Sequence, residues 1–515
     1  MTEDPIRSVL FIIVDQWRGD SLGVLGHRAA ITPNLDRLAR AGVVFRRHFA
    51  QGAPCSPARA SMLTGLYVMN HRVVTNGVPL DDRHATLPRE LRRAGIEPAL
   101  IGYTTTTHDP RRVSPGDPRY RQIGEIMDGW RVIAHFDEVR MSNYFRWVAA
   151  QGHPLPADPQ DLWLPADGVP GPTALPAQLP ASASDTAWSA AHALAYLKGG
   201  ALAARSVLHL GFYRPHPPFV VPAPFHDRVP EEAIAEPVRA ASVQAEAAQH
   251  PMVAEALGRI ARRHFFRGAP GLVADMSAAE VRTARRTYYG LIAETDHAIG
   301  QVLDEMERSG AIRDTLIVFT SDHGEQLGDH HLFGKLGYFD ESYHVPLIIH
   351  DPRASADASR GTVIDAFTEG VDLMPTLLDC LGLEVPHTCD GHSLQPFLRG
   401  DAPAGWRDAA HFEFDLRSGY PSPAPSALGL GHEEGKLAVW RDDRFKYVHF
   451  QELEPVLFDL ARDPQQLTNV AADPAYGSVV AEYAQKMLSW RMRHLDRTLT
   501  HLNASSAGLV DRLRA

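Results

Sequence analysis

Cysteine is scarce in this chain: 515 residues hold three, Cys55, Cys380 and Cys389. Three thiols cannot build a disulfide framework, and their scarcity fits a reducing compartment. Cys380 and Cys389 have no metal-type partners nearby in sequence and read as plain thiols. Long apolar runs are also missing. No stretch approaches the ~20 consecutive apolar residues that span a bilayer, so no membrane partner is expected. Positive charge is in deficit: 51 Lys and Arg against 62 Asp and Glu leave a net charge of −11. That excludes a broad nucleic-acid footprint. Met1 to Ser8 carries two acids and a proline and does not resemble a signal peptide, so a cytoplasmic protein is expected. No internal repeat is visible.

What is present is ordinary for a globular protein, and the length is ample for a large core and two packed regions. Val9 to Val14 is a continuous apolar run rich in β-branched residues, which predicts a buried parallel strand delivering Asp15-Gln16 at its end. Similar runs predict strands at Pro98–Gly102, leading to Tyr103, at Ser206–Phe212, leading to His216, and at Thr315–Thr320, leading to Asp322-His323. A fifth is expected at Val345–His350, and a helix from Thr32-Pro33 through Ala41. The alternation implies an α/β fold with a large, mostly parallel sheet flanked by helices. Ligands of such folds bind beyond the carboxyl ends of the strands, where Asp15, Tyr103, His216 and Asp322 all fall.

This catalytic domain is expected over residues 1–400. It includes an irregular Pro-, Ala- and Asp-rich excursion at 150–185 and an Ala- and Arg-rich stretch at 229–275 read as a helical arm. Residues 401–515 are expected to form a C-terminal α+β subdomain and tail. Strands there are predicted near 437–440, 445–450 and 455–460, with a helix from about Ala475 to Asp496. The smaller sheet is expected to be antiparallel, with the helix over it.

Cys55-Ser56-Pro57-Ala58-Arg59 reads as a loop turning into a helix. Ser56 is a good N-cap and Pro57 suits the first turn, which places Cys55 at a helix N-terminus, where the dipole favours negative charge. Arg59 returns to the same face one turn later. Asp15-Gln16 and Asp322-His323, joined by Cys55, are the candidate metal ligands. An imidazole in the set favours Mn²⁺, Fe²⁺ or Zn²⁺ over Ca²⁺, and Mn²⁺ is preferred here. His330 and His331 are left structural.

The pattern C-x-P-x-R followed by Leu63-Thr64-Gly65 resembles the signature of type I sulfatases, in the alkaline phosphatase superfamily. The resemblance implies that Cys55 is oxidised to formylglycine by a maturation enzyme. The further matches are Asn76-Gly77, Tyr103 with Thr105, His216, Asp322-His323 and Lys335, and they run over nearly the whole chain. They resemble one branch, the phosphonate monoester hydrolases. Ordinary arylsulfatases place Lys and His where this chain has Tyr103 and Thr105, and acidic or amide ligands at the positions of Gln16 and His323.

By resemblance, Asn76, Tyr103 and Thr105 bind substrate oxygens or the nucleophile. Lys335 contacts substrate oxygens, and His216 or Lys335 protonates the leaving group. Fewer cations facing the substrate would leave a dianionic phosphate monoester under-neutralised, whereas a phosphonate monoester or phosphodiester carries one charge. The expectation is a hydrolase of small-molecule phosphonate monoesters and phosphodiesters. An arylsulfatase with the same nucleophile is the alternative, since a sulfate ester also carries one charge. The resemblance also implies a homo-oligomer, a tetramer over a dimer.

Overall fold

A computed structural model of the chain describes residues 6–121, 125–200, 205–418, 425–506 and 508–513. Residues 1–5 of the N-terminal segment considered above, and the last two residues of the tail, lie outside them.

The main sheet is built from Ser8–Asp15 (β1), Val43–Phe49 (β2), Pro98–Gly102 (β3), Arg131–His135 (β4), Ser206–Pro215 (β5), Thr315–Ser321 (β6), His344–Val345 (β7), Leu347–His350 (β8) and Thr362–Glu369 (β9). Its order is β4-β3-β5-β1-β6-β8-β2-β7, with β9 also paired to β2. β1 lies at the centre, parallel to β5 on one side and β6 on the other. The fifth expected strand is interrupted at Pro346. Its longer part, β8, runs antiparallel to both β6 and β2.

β1 is buried along its whole length because both faces of the sheet are covered. Leu10, Ile12 and Val14 point into one apolar cluster and Val9, Phe11 and Ile13 into another. Each such side chain contributes about 1.5–3 kcal/mol when buried. The helices that do the covering are Pro33–Ala41 (α1), Cys55–Thr64 (α2), Asp185–Lys198 (α3), Ala278–Ser309 (α4) and Leu373–Cys380 (α5). α1, α3 and α4 supply the first cluster, α2 and α5 the second. α4 starts on a reciprocal cap between Ser277 and Glu280 and stops at Gly310, whose φ of 78° suits a residue without Cβ.

The stretch 229–275 is not one long helix. It holds short helices at Val243–Ala247 and Pro251–Leu257 among single turns, and Val253, Ile260, Phe265 and Phe266 are buried in the main core. Pro251, Gly258, Gly268 and Gly271 break the helical propensity of its Ala and Arg residues. Residues 150–185 carry only short turns ahead of α3.

Beyond residue 400, Ala410–Asp415 (β10), Lys436–Arg441 (β11), Phe445–Phe450 (β12) and Val456–Asp459 (β13) form an antiparallel sheet in chain order. Helix Gly477–Arg493 (α6) packs Tyr483, Met487 and Trp490 against it. In the tail, Leu502–Ser505 (β14) pairs with Gly508–Asp511 (β15).

Candidate active site

Because β1 and β6 are parallel neighbours with Val14 opposite Ser321, the residues leaving their carboxyl ends, Asp15 and Asp322, emerge side by side. α2 begins at this edge with Cys55 itself. Ser56 does not cap it: Pro54 holds the N-cap position, and the Ser56 hydroxyl donates instead to the Thr105 carbonyl at 2.6 Å. Asn76 does part of the capping, since its Oδ1 accepts the Ser56 N–H at 2.8 Å. That leaves its Nδ2 as the group available to donate.

Cys55 Sγ lies 3.2 Å from His323 Nε2 and 3.9 Å from Asp15 Oδ1. His323 Nε2 in turn is 3.6 Å from Asp15 Oδ1 and 3.7 Å from Asp322 Oδ1. Among the described residues, Asp15, Cys55, Asp322 and His323 thus form a buried group whose ligand atoms all lie within 4.8 Å of one another.

Arg59 organises both carboxylates. Its Nε donates to Asp322 Oδ2 at 2.9 Å, Nη2 to Asp15 Oδ2 at 3.2 Å and Nη1 to the Tyr103 carbonyl at 3.2 Å. The guanidinium also lies 4.3 Å from the Tyr103 ring centre. Each aspartate therefore anchors one oxygen on Arg59 and turns its Oδ1 toward His323. Tyr103, fully buried, donates its hydroxyl to Asp15 Oδ2 at 2.7 Å, so it orients that carboxylate.

His323 Nδ1 faces the Gly324 carbonyl at 3.1 Å and must donate to it, which leaves a lone pair on Nε2 inside the cluster. Burial, reinforced by the Lys335 charge, holds this imidazole down to about 3, so it is neutral. Two carboxylate oxygens and one imidazole lone pair make a mixed O/N donor set, which fits a first-row divalent ion better than an all-oxygen calcium cage. Burial and the Asp15 carboxylate push the Cys55 thiol well above its ordinary range. An unmodified thiol here is therefore a poor source of thiolate.

The remaining predicted residues surround this cluster. Lys335 is buried and donates to Gln16 Oε1 at 2.5 Å. His216, half-buried, must donate from Nδ1 to the Pro217 carbonyl at 2.7 Å, and burial followed by the Lys335 charge lowers it to about 3. Its ring packs 4.6 Å from Tyr213. Arg214, paired to Asp185 by a 2.7 Å contact, holds the carbonyls of His216 and Pro218, each at 2.7 Å, and so fixes the loop. Thr105 adopts a φ of 50°, and its hydroxyl donates to Glu138 Oε2 at 3.3 Å.

Sequence reasoning missed two acids. Half-buried Glu138 follows the sheet-edge strand β4, where nothing local marks it. Burial and the Asp15 carboxylate push it up to about 8. Fully buried Glu325 lies two residues past His323, and its place in Asp322-His323-Gly324-Glu325 was the signal that could have found it.

A family model described as sulfatase matches residues 7–383, and one for the C-terminal region of N-sulphoglucosamine sulphohydrolase matches 328–493. The multifunctional alkaline phosphatase superfamily protein PehA of Trinickia caryophylli is 48% identical over 98% of this chain and 99% of its own length. An arylsulfatase of Clostridium perfringens is 28% identical over 93% of each. Among solved structures, the phosphonate monoester hydrolase of Agrobacterium radiobacter superposes with a TM-score of 0.94 at 43% identity. That of Silicibacter pomeroyi superposes with a TM-score of 0.91 at 37% identity. Each alignment covers 98% of this chain and 99% of the other.

Proposed function

The chain belongs to the sulfatase family of the alkaline phosphatase superfamily, and we propose that within it the protein hydrolyses phosphonate monoesters and phosphodiesters with a formylglycine made from Cys55. The observation that carries this reading is the position of Cys55. It opens α2 within 3.2 Å of His323 and 3.9 Å of Asp15, where ionisation of its own thiol is suppressed. The likeness to two phosphonate monoester hydrolases at 43% and 37% identity supports the substrate class.

Asp15, Gln16, Asp322, His323 and residue 55 would hold a divalent ion, Mn²⁺ in preference to Fe²⁺, Zn²⁺ or Ca²⁺, which supplies Lewis acidity toward the nucleophile and the substrate oxygens. Hydrated formylglycine supplies one hydroxyl for attack and a second whose deprotonation releases the product and regenerates the aldehyde. The chain's own residues do the rest. Arg59 keeps Oδ1 of both aspartates aimed into the cluster and offsets their charge. Lys335, the Asn76 Nδ2 and the Thr105 hydroxyl meet the non-bridging oxygens of the ester. In the free protein His216 is neutral, with its lone pair on Nε2 because Nδ1 donates to Pro217. The arriving anionic ester favours its protonation, and the proton then passes to the leaving alkoxide or phenoxide. Lys335 is the other group able to serve there.

The positive groups facing the ester are few. A substrate with one negative charge suits that balance and a dianion does not. An arylsulfatase sharing the nucleophile is the second reading, supported by the likeness to the clostridial arylsulfatase. We place the protein in the cytoplasm on its three unpaired cysteines, with a maturation enzyme acting at Cys55. We assign residues 1–400 to catalysis and 401–515 to a C-terminal subdomain. Peptide mass at Cys55 tests the nucleophile: an active preparation is expected to carry the aldehyde, and a thiol throughout an active preparation contradicts it.

A further inference from the structure

We infer that Glu325 is a positioning residue that decides which end of the Gln16 carboxamide faces the metal-ligand cluster. This rests on the reading of Gln16 as a ligand. A carboxamide has two ends of nearly the same size, one a donor and the other an acceptor, so only its partners choose between the two orientations. Here the choice is forced from behind. Glu325 is fully buried, and its Oε1 accepts the backbone N–H of Gly334 at 2.6 Å and of Leu327 at 2.8 Å. Its Oε2 accepts from Gln16 Nε2. All three neighbours are donors, so the carboxylate acts only as an acceptor.

The amide nitrogen of Gln16 is thereby drawn inward, and Oε1 faces the other way, where Lys335 Nζ donates to it at 2.5 Å. The backbone cannot swing to compensate. Gln16 N–H donates to Asp322 Oδ1 at 3.2 Å, and its carbonyl accepts from the Tyr288 hydroxyl at 2.8 Å. Turned over, the side chain would aim an NH₂ group at an ammonium and at the place of a cation, neither of which can accept from it. Because Gly334 precedes Lys335, the same carboxylate also ties the lysine loop to the ligand loop.

The test uses the full-length protein and reads Mn²⁺ affinity by competition with a chelator, independently of any substrate. In Glu325→Gln the Oε1 acceptor survives for Gly334 and Leu327, but an NH₂ group now meets Gln16 Nε2. We expect affinity to fall about 10–100-fold, the range for groups that orient a ligand. Adding Gln16→Glu restores a donor–acceptor pair and the net charge, and is expected to return affinity to the wild-type level or above. Gln16→Ala is expected to weaken binding like Glu325→Gln.

Wild-type affinity in Glu325→Gln beside a weakened Gln16→Ala would overturn the inference alone. Wild-type affinity in Gln16→Ala would overturn the ligand reading beneath it. A loss in Glu325→Gln that Gln16→Glu does not rescue, matched by an equal loss of metal-free thermal stability, would mark Glu325 as merely structural. If Glu325→Gln does not fold alone, the double variant and Gln16→Ala decide between the same outcomes.

Discussion

Arg59 is where the charge of the site balances. It is 1% exposed and bridges two carboxylates that are themselves fully buried. Removing one partner of such a group strands the others, at a typical cost of about 3–5 kcal/mol. We therefore expect Arg59→Ala to lower the unfolding free energy of the metal-free protein by that order, with added Mn²⁺ recovering part of it. An unchanged denaturation midpoint would show that the aspartates do not depend on the arginine. Glu138 lies beside Thr105, and its carboxyl, pushed up to about 8, is neutral near pH 7 and becomes negative above that value. Glu138→Gln is therefore expected to leave the ratio of kcat/KM for an aryl phosphate dianion to that for a phosphonate monoanion unchanged near pH 7 and to raise it about tenfold at about pH 9, the scale of one charge acting across a partly screened site. An unchanged ratio at the higher pH would remove Glu138 from substrate selection.

At the scale of the element, what the sequence made legible was whatever the environment left unambiguous. β1, β5 and β6 are buried on both faces, so their apolar runs stand out and the acids at their ends come with them. β2 reads Val-Val-Phe-Arg-Arg-His-Phe, and two arginines within it conceal a strand. β4, at the sheet edge, is exposed at Arg131 and Val132 and has a weak pattern. In 229–275, Pro251 and three glycines cut short the helix preference of the Ala and Arg residues around them. The site's own acids divide the same way. Asp15 and Asp322 end strong strands, while Glu138 is defined by a contact with Thr105 that no local pattern encodes.

α4 carries a further consequence. Glu294, 3% exposed, has no partner for Oε1 among the described residues, and burial with the nearby Asp185 pushes it from 4.5 up to about 8. Between those values the folded state keeps a proton that the unfolded chain has released. The stability it contributes is complete below about pH 4.5 and is lost as pH rises through about 8. Glu294→Gln is expected to abolish that slope and to be more stable than the wild type near pH 8 by an amount on the order of a few kcal/mol. Parallel pH–stability curves for the two proteins would contradict it.

Over the whole molecule, the catalytic edge of the main sheet is apposed to the small C-terminal sheet through a bridge between Gly52 and Glu413. Beyond it, α6 and the tail expose Leu488, Met492, Leu495 and Leu499, each 60% or more, with Leu509 and Leu513 following. An apolar surface of that kind marks an interface. We propose that other copies of the chain cover it in a tetramer. Sedimentation equilibrium is expected to return a tetramer, with Leu488→Glu combined with Met492→Glu dissociating it, and a wild-type monomer would refute the assembly. Substrate choice is tested most directly by kcat/KM of the Mn²⁺-loaded protein for an aryl phosphonate monoester and the matching aryl sulfate. We expect the phosphonate to be preferred by about tenfold or more, some 1.4 kcal/mol in the barrier. A preference for the sulfate would contradict the phosphonate reading and leave the protein an arylsulfatase of the same family.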